Sequence, residues 1–263
     1  MKLRFVKLSP TQNMTVIVEE PVPRAAHRSV AAALMDYASV FAEQVGFRET
    51  PTLPGARARL QMMGGEFCGN ATMCMAACLA REEGIQPGER RSVPVEVSGA
   101  SGVLMCDVEC AAGGYICRVD MPLPEAIQPR ADYTLVRLPG IAHAVVECAA
   151  PESLRPGAEQ RLRAIAAELA DDAVGLMLYA PETSRLMPLV YVRDTDSMVW
   201  ERGCGSGSAA VGAYIAWKNR RGMTASLTQP GGVIETAAEW RDGVSKLAIT
   251  GRVTIACEGV AYI

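Results

Sequence analysis

Two segments far apart in the chain, GGEFCGNATMC (residues 64–74) and ERGCGSGSAAVG (residues 201–212), carry the same local device. In each, an acidic residue precedes a Cys-Gly step, small residues follow, and an apolar run begins. Residues 68–80 laid on residues 204–216 are identical at four of thirteen positions. The order of predicted elements around them repeats too: strands, a long helix, strands, the Cys-Gly turn, a small-residue helix, then hairpin strands. An internal repeat of this length constrains the fold strongly, because each half has to be built as a similar unit.

The pattern along the chain predicts strands at 2–8 and 14–19, where residues alternate or run apolar and β-branched. Residues 24–46 are Ala-rich, with apolar residues three and four apart, and predict a helix stopped by Gly46. A strand at 56–63, a helix at 69–83 and three strands over 92–122 follow. Pro122 and Pro124 mark a seam. Beyond it come strands at 133–138 and 143–148, a helix at 157–171, and strands at 173–180, 186–193 and 197–202. A helix at 205–220 and four closing strands complete the chain, the last two being residues 245–251 and 253–263.

The bulk properties exclude several classes. A chain of 263 residues, 49% hydrophobic and 21% charged, suits one large or two moderate globular domains. A net charge of -3 gives no basic footprint for nucleic acid, and 5% aromatic residues offer few stacking platforms. The N-terminal stretch MKLRFVKLSPTQN has no apolar signal region, and no run of 18 apolar residues exists to cross a membrane. The expectation is a cytoplasmic protein. Nine cysteines, an odd count without a signal sequence, argue against a disulfide framework. With no paired CxxC and two histidines (His27, His143) in unrelated places, no metal site is expected.

A helix N-terminus presents unpaired N–H groups and a partial positive charge. A cysteine there is expected to have a lowered pKa, and the same N–H groups bind a carboxylate. Gly69, Asn70 and Ala71 after Cys68, and Gly205, Ser206 and Gly207 after Cys204, let a ligand come close to the backbone. Two such turns from pseudo-symmetric halves suggest two thiols facing each other. Inverting a stereocentre beside a carboxylate needs a base on one face and an acid on the other. A thiolate and a thiol supply both, and no cofactor is needed. No lysine stands in a distinctive Schiff-base context.

FCGNATMC (67–74) and WERGCGSGSAA (200–210) resemble the two active-cysteine motifs of the diaminopimelate epimerase family of pyridoxal-independent racemases and epimerases. QNMTVIV (12–18) and HAVVE (143–147) fall in the family order, and the resemblance covers most of the chain. It implies an α+β fold of two pseudo-symmetric domains, each a curved antiparallel sheet around a central helix, with the active site in the cleft. The domains would be residues 1–121, completed by a last strand at about 252–263, and residues 122–251. It implies Cys68 and Cys204 as the acid/base pair. Gly69, Asn70, Gly205 and Ser206 would hold the α-carboxylate, Glu201 would accept from the α-ammonium, and Asn13 would lie beside the substrate. A homodimer is implied, with a small α-amino acid as the only partner.

Some positions depart from the family. MMGGEF lacks its asparagine, Ile141-Ala142 replace Asn-Pro, and Ala173 stands where another Asn is expected. Of the distal grip on diaminopimelate only Arg202 remains. The short GGEFCGNA form is similar to that of histidine racemases that feed opine-type metallophore synthesis, so histidine is the leading substrate, with another α-amino acid or diaminopimelate as alternatives. Two rivals use the same letters. ERGCGSG matches the acidic Gly-rich loop of nucleotide-cofactor methyltransferases, but residues 219–230 carry no Asp or Glu to bind a ribose. CGNATMCMAACLA resembles phenazine-biosynthesis isomerases, which lack the cysteine pair. A non-catalytic binding module is the remaining alternative.

Overall fold

The apolar alternation of KLRFVKLSP forms strand β1 (Lys2–Pro10), which buries Leu3, Phe5, Val6 and Leu8. The computed structural model describes all of residues 1–263, which form two compact units: residues 1–120 with 250–263, and residues 121–249.

In the first unit β1 pairs antiparallel with β2 (Thr15–Val18). Helix α1 (His27–Met35) carries the chain to β3 (Gln44–Glu49), which lies parallel to β2. Strand β4 (Ala58–Met62) returns antiparallel to β3. Helix α2 (Gly69–Glu82) then crosses to β5 (Arg90–Val97), parallel to β4. Strands β6 (Val103–Ala111) and β7 (Gly114–Asp120) continue antiparallel. All residues of α2 from Gly69 to Ala80 are buried, and the helix packs on β1, β2, β5, β6 and β7. Its Gly, Ala, Cys and Thr content permits this, since small side chains let strands approach on every side. A second cluster on the other face of β1, β2 and β3 seats Val30 and Leu34 of α1 against Val45 and Phe47.

The second unit repeats this pairing order. Strands β8 (Ala126–Pro129), β9 (Thr134–Leu138) and β10 (Ile141–Glu147) are antiparallel. Helix α3 (Ala158–Glu168) crosses to β11 (Ala173–Ala180), parallel to β10, and β12 (Arg185–Val192) returns antiparallel. Strand β13 (Ser197–Trp200) makes a hairpin with β12, and helix α4 (Gly205–Asn219) crosses to β14 (Met223–Gln229), parallel to β12. Strand β15 (Gly232–Trp240) is antiparallel to β14. The last strand, β16 (Val244–Tyr262), gives residues 244–249 to the second unit and 250–262 to the first, where it pairs antiparallel with β1.

The α+β class is as expected, but the sheets are mixed rather than antiparallel. Each crossover helix returns the chain in its starting direction, so its flanking strands must run parallel. Strand β8 has no counterpart in the sequence expectation, and three further elements differ from it. The helix over 24–46 stops at Met35: Asp36 turns to extended backbone, its carboxylate accepts the Ala38 N–H at 2.7 Å, and Phe41 is left-handed (φ 57°). Gly46 is no helix stop but lies within β3, where a Cβ would meet Leu60 at 2.5 Å. The two strands over 245–263 are one. No helix is long and apolar enough to cross a membrane.

Candidate active site

In the first unit, Cys68 is the N-cap of α2, with extended backbone (φ −135°, ψ 111°). Its Sγ accepts the Ala71 N–H at 3.4 Å and donates to Gln44 Oε1 at 2.9 Å. The Gln44 Nε2 donates to Thr15 Oγ1 at 3.0 Å and to Asn13 Oδ1. Asn13 Oδ1 also accepts from Asn70 Nδ2 at 3.0 Å, and Asn13 Nδ2 donates to Glu43 Oε2 at 2.7 Å. Two left-handed residues, Thr11 (φ 51°) and Gln12 (φ 61°), turn the chain between β1 and β2 and bring Asn13 into this network. So Cys68, Asn13 and Asn70 are gathered, with Gly69 opening the helix.

In the second unit, Cys204 holds the same place on α4, again as an extended N-cap (φ −97°, ψ 108°). Its Sγ accepts the Gly207 N–H at 3.2 Å and lies 3.6 Å from Ser206 Oγ. A Cβ on Gly207 would collide with Met177 Sδ and come within 2.9 Å of Cys204 Sγ, so only glycine admits this packing. Glu201 follows β13, held by its N–H to Pro188 O at 3.0 Å, and its carboxylate hydrogen-bonds the Cys204 thiol. Arg202 is exposed and donates from Nη2 to Pro230 O at 3.3 Å. Gly205 and Ser206 form the first turn of α4, whose N–H groups have no partner within the helix.

The lowered thiol pKa expected at a helix mouth is corrected for Cys204. Burial pushes it well up, and the charge and hydrogen bond of Glu201 push the same way. Ser206 and the Gly207 N–H pull it down less. At Cys204, burial and the neighbouring carboxylate therefore outweigh the helix end. Cys74, Cys78, Cys106 and Cys117 are buried and structural in environment, and burial raises Cys78 and Cys106 to about 12. His143, on β10, is fully buried, and burial alone lowers its pKa to about 3. No three His, Cys, Asp or Glu side chains converge in a way that could hold a metal ion.

Sequence reasoning missed Gln44, Glu43 and Gln229. The first two sit where a helix was expected in place of β3. Gln229, the last residue of β14, accepts the Cys204 N–H at 2.8 Å. A polar residue in phase with Met223, Ala225 and Leu227 in the alternating strand MTASLTQ is the signal the sequence offers.

A family described as the histidine racemase CntK N-terminal domain matches residues 2–262. A histidine racemase from Fusobacterium nucleatum is 30% identical over 277 residues, covering 99% of this chain and 97% of its own. Among solved structures, a PhzF-family phenazine biosynthesis protein from Bacillus anthracis superposes with a TM-score of 0.72 at 14% identity, covering 100% of both chains. A hydroxyproline epimerase from Agrobacterium vitis, with trans-4-hydroxy-L-proline bound, gives 0.73 at 14% identity over 99% of this chain and 92% of its own. At such identities the two structures speak to the fold alone.

Proposed function

The chain belongs to the histidine racemase CntK N-terminal domain family, and from that premise we propose that it inverts the α-carbon of histidine with Cys68 and Cys204 as its two bases, without pyridoxal phosphate. It is an isomerase. The observation that carries the mechanism is the matched setting of the two thiols: each caps a buried, glycine-led helix and accepts that helix's third N–H.

In this reading one cysteine, as thiolate, removes the α-proton and becomes a thiol. The electron pair of the broken C–H bond passes into the carboxylate. The other thiol then delivers its proton to the opposite face and becomes a thiolate. The enzyme ends with its two protonation states exchanged, ready for the other enantiomer. The two thiols must therefore meet one α-carbon from opposite sides, as in the diaminopimelate epimerase-like arrangement. First-turn amides of Gly69, Asn70, Gly205 and Ser206 hold the carboxylate and stabilise its growing charge. Asn13 borders the substrate, and Arg202 lies at its distal end.

Glu201 couples binding to chemistry. Its charge is one reason the Cys204 thiol holds its proton in the free protein. An α-ammonium arriving beside Glu201 neutralises that charge, and the penalty on the Cys204 thiolate falls as the substrate binds.

The test is incubation of the protein with L-histidine or D-histidine in deuterated water, free of pyridoxal phosphate, with chiral separation and mass analysis. Both enantiomers should form with deuterium at the α-carbon. Cys68→Ser and Cys204→Ser should each lower the rate by about 10³-fold or more. Exchange of a different amino acid but not histidine would replace the substrate. Near-normal turnover by either serine variant would remove the two-thiol mechanism.

A further inference from the structure

We propose that Gln229 is a positioning residue for Cys204, fastening the thiol-bearing loop at the Cys204 N–H directly and at the Cys204 carbonyl through Ser208. The proposal rests on the two-thiol reading above. Gln229 ends β14 and is 5% exposed. Its Oε1 accepts the Cys204 N–H at 2.8 Å, and its Nε2 donates to Ser208 Oγ at 2.8 Å. Ser208 Oγ in turn donates to the Cys204 carbonyl oxygen at 2.6 Å. The ring of three hydrogen bonds begins and ends on Cys204. Burying an amide costs free energy unless both its ends are paired, and a leucine of similar volume would fill the space without that cost.

The turn after β14 adds two more ties to the same loop. The Gly231 N–H donates to Arg202 O at 2.7 Å, and Arg202 Nη2 donates to Pro230 O at 3.3 Å. The first unit does the equivalent thing with different residues. Ser98, directly after β5, donates from Oγ to Glu66 O at 2.8 Å and accepts the Met62 N–H at 2.9 Å. Gly99 (φ 71°) lies so close to Phe67 that a Cβ would collide with its backbone nitrogen. Strands β5 and β14 hold the same place in the two pairing orders. In both halves, then, the turn that follows the strand after the cysteine helix grips the cysteine loop.

The grip also decides which amides face a ligand. Gln229 occupies the Cys204 N–H, and the thiol occupies the Gly207 N–H. Gly205 and Ser206 N–H are thereby left to meet a carboxylate, and the thiol is held against the axis of α4.

The experiment uses Gln229→Met, similar in length without the hydrogen bonds, Gln229→Glu, which keeps the acceptor, and Ser208→Ala, which cuts the ring at one link. Two readouts need no substrate: hydrogen exchange of residues 202–208, and the alkylation rate of Cys204 with exposed Cys257 as internal control. Gln229→Met should speed exchange about tenfold or more, change Cys204 alkylation severalfold, and leave Cys257 unchanged. Its kcat for α-deuteration should fall about 10–100-fold with KM within about threefold, as for a misplaced catalytic group. Gln229→Glu should recover part of the loss, and Ser208→Ala should show the same changes at smaller size. Unaltered exchange and alkylation in Gln229→Met, or in Ser208→Ala should the first not fold, would overturn the clamp. If the wild type moves no α-proton of any amino acid while these two readouts still shift, the clamp stands and the racemase reading fails.

Discussion

Gln44 Oε1 accepts the Cys68 thiol proton at 2.9 Å, and the nitrogen of the same amide ties Asn13 and Thr15 into the network. Cys204 is paired differently, with the carboxylate of Glu201. An amide oxygen orients a thiol but does not take its proton. Gln44→Leu should therefore lower kcat by about tenfold or more by freeing the thiol and leaving Asn13 short of a partner. Gln44→Glu should place a negative charge beside Cys68, disfavour its thiolate and shift the acidic-to-basic rise of the pH–rate profile to higher pH. Steady-state α-deuteration across pH 6–10 checks both.

Gly207 admits no side chain, because a Cβ there meets Met177 Sδ and Cys204 Sγ. In Gly207→Ala either Met177 or the thiol must move. Catalytic rate should fall at least about tenfold, and overpacking should cost about 1–3 kcal/mol of stability. Urea unfolding together with kcat tests this; a variant normal in both would mean the α4 mouth is looser than its packing indicates.

Both ring nitrogens of His143 are buried without a hydrogen-bond partner, and burial holds its pKa near 3. An unfolded chain binds a proton on this imidazole below about pH 6.5, whereas the folded chain refuses it. Its contribution to stability is complete above that value and declines as pH falls towards 3. Between pH 6.5 and pH 5 the loss is about 2 kcal/mol. His143→Leu should lack this loss, so the stability gap between wild type and variant should change by that amount between the two pH values. A constant gap in urea titrations would show that the imidazole protonates freely in the fold.

Glu96 is buried at the end of β5 and gathers the loop after β3. Burial works to raise its pKa, but the Thr52 hydroxyl, the Leu53 and Thr52 N–H groups and the Arg59 guanidinium outweigh it and hold the carboxyl at about 2. Its stabilisation is present above the unfolded carboxylate pKa of about 4.3 and disappears as pH falls from there to about 2. Glu96→Gln should lower Tm at pH 7, with the difference from wild type shrinking below pH 4. Calorimetry at pH 7, 5 and 3 measures it; a difference that widened with acid would contradict the sign.

The repeated order of elements and the local setting of the two cysteines were legible in the sequence. The setting of Cys68 and Cys204 as helix caps follows from a Cys-Gly step before a run of small residues, and both helices begin at the next residue. Strand β3 was hidden because the Ala-rich run before it continues a helical spacing, and only the turn at Asp36 and left-handed Phe41 end it. Gln44 and Glu43 were lost with that strand. Parallel pairing escaped too, since alternation within a strand says which face is buried but not which neighbour lies alongside. Gln229 is 25 residues from the cysteine it serves, and only the crossover of α4 brings the two together.

Residues 250–263 belong to the unit whose first strand is β1, and Lys2 is paired with Tyr262. A chain emerging from the ribosome presents β1 well before its neighbour, with the whole of the second unit between them. The second unit, residues 121–249, has all of its strands outside the tunnel before the first unit can seal itself. The unit begun before the other is thus completed after it, and until then its edge strand stays open to any passing chain with a free edge of its own.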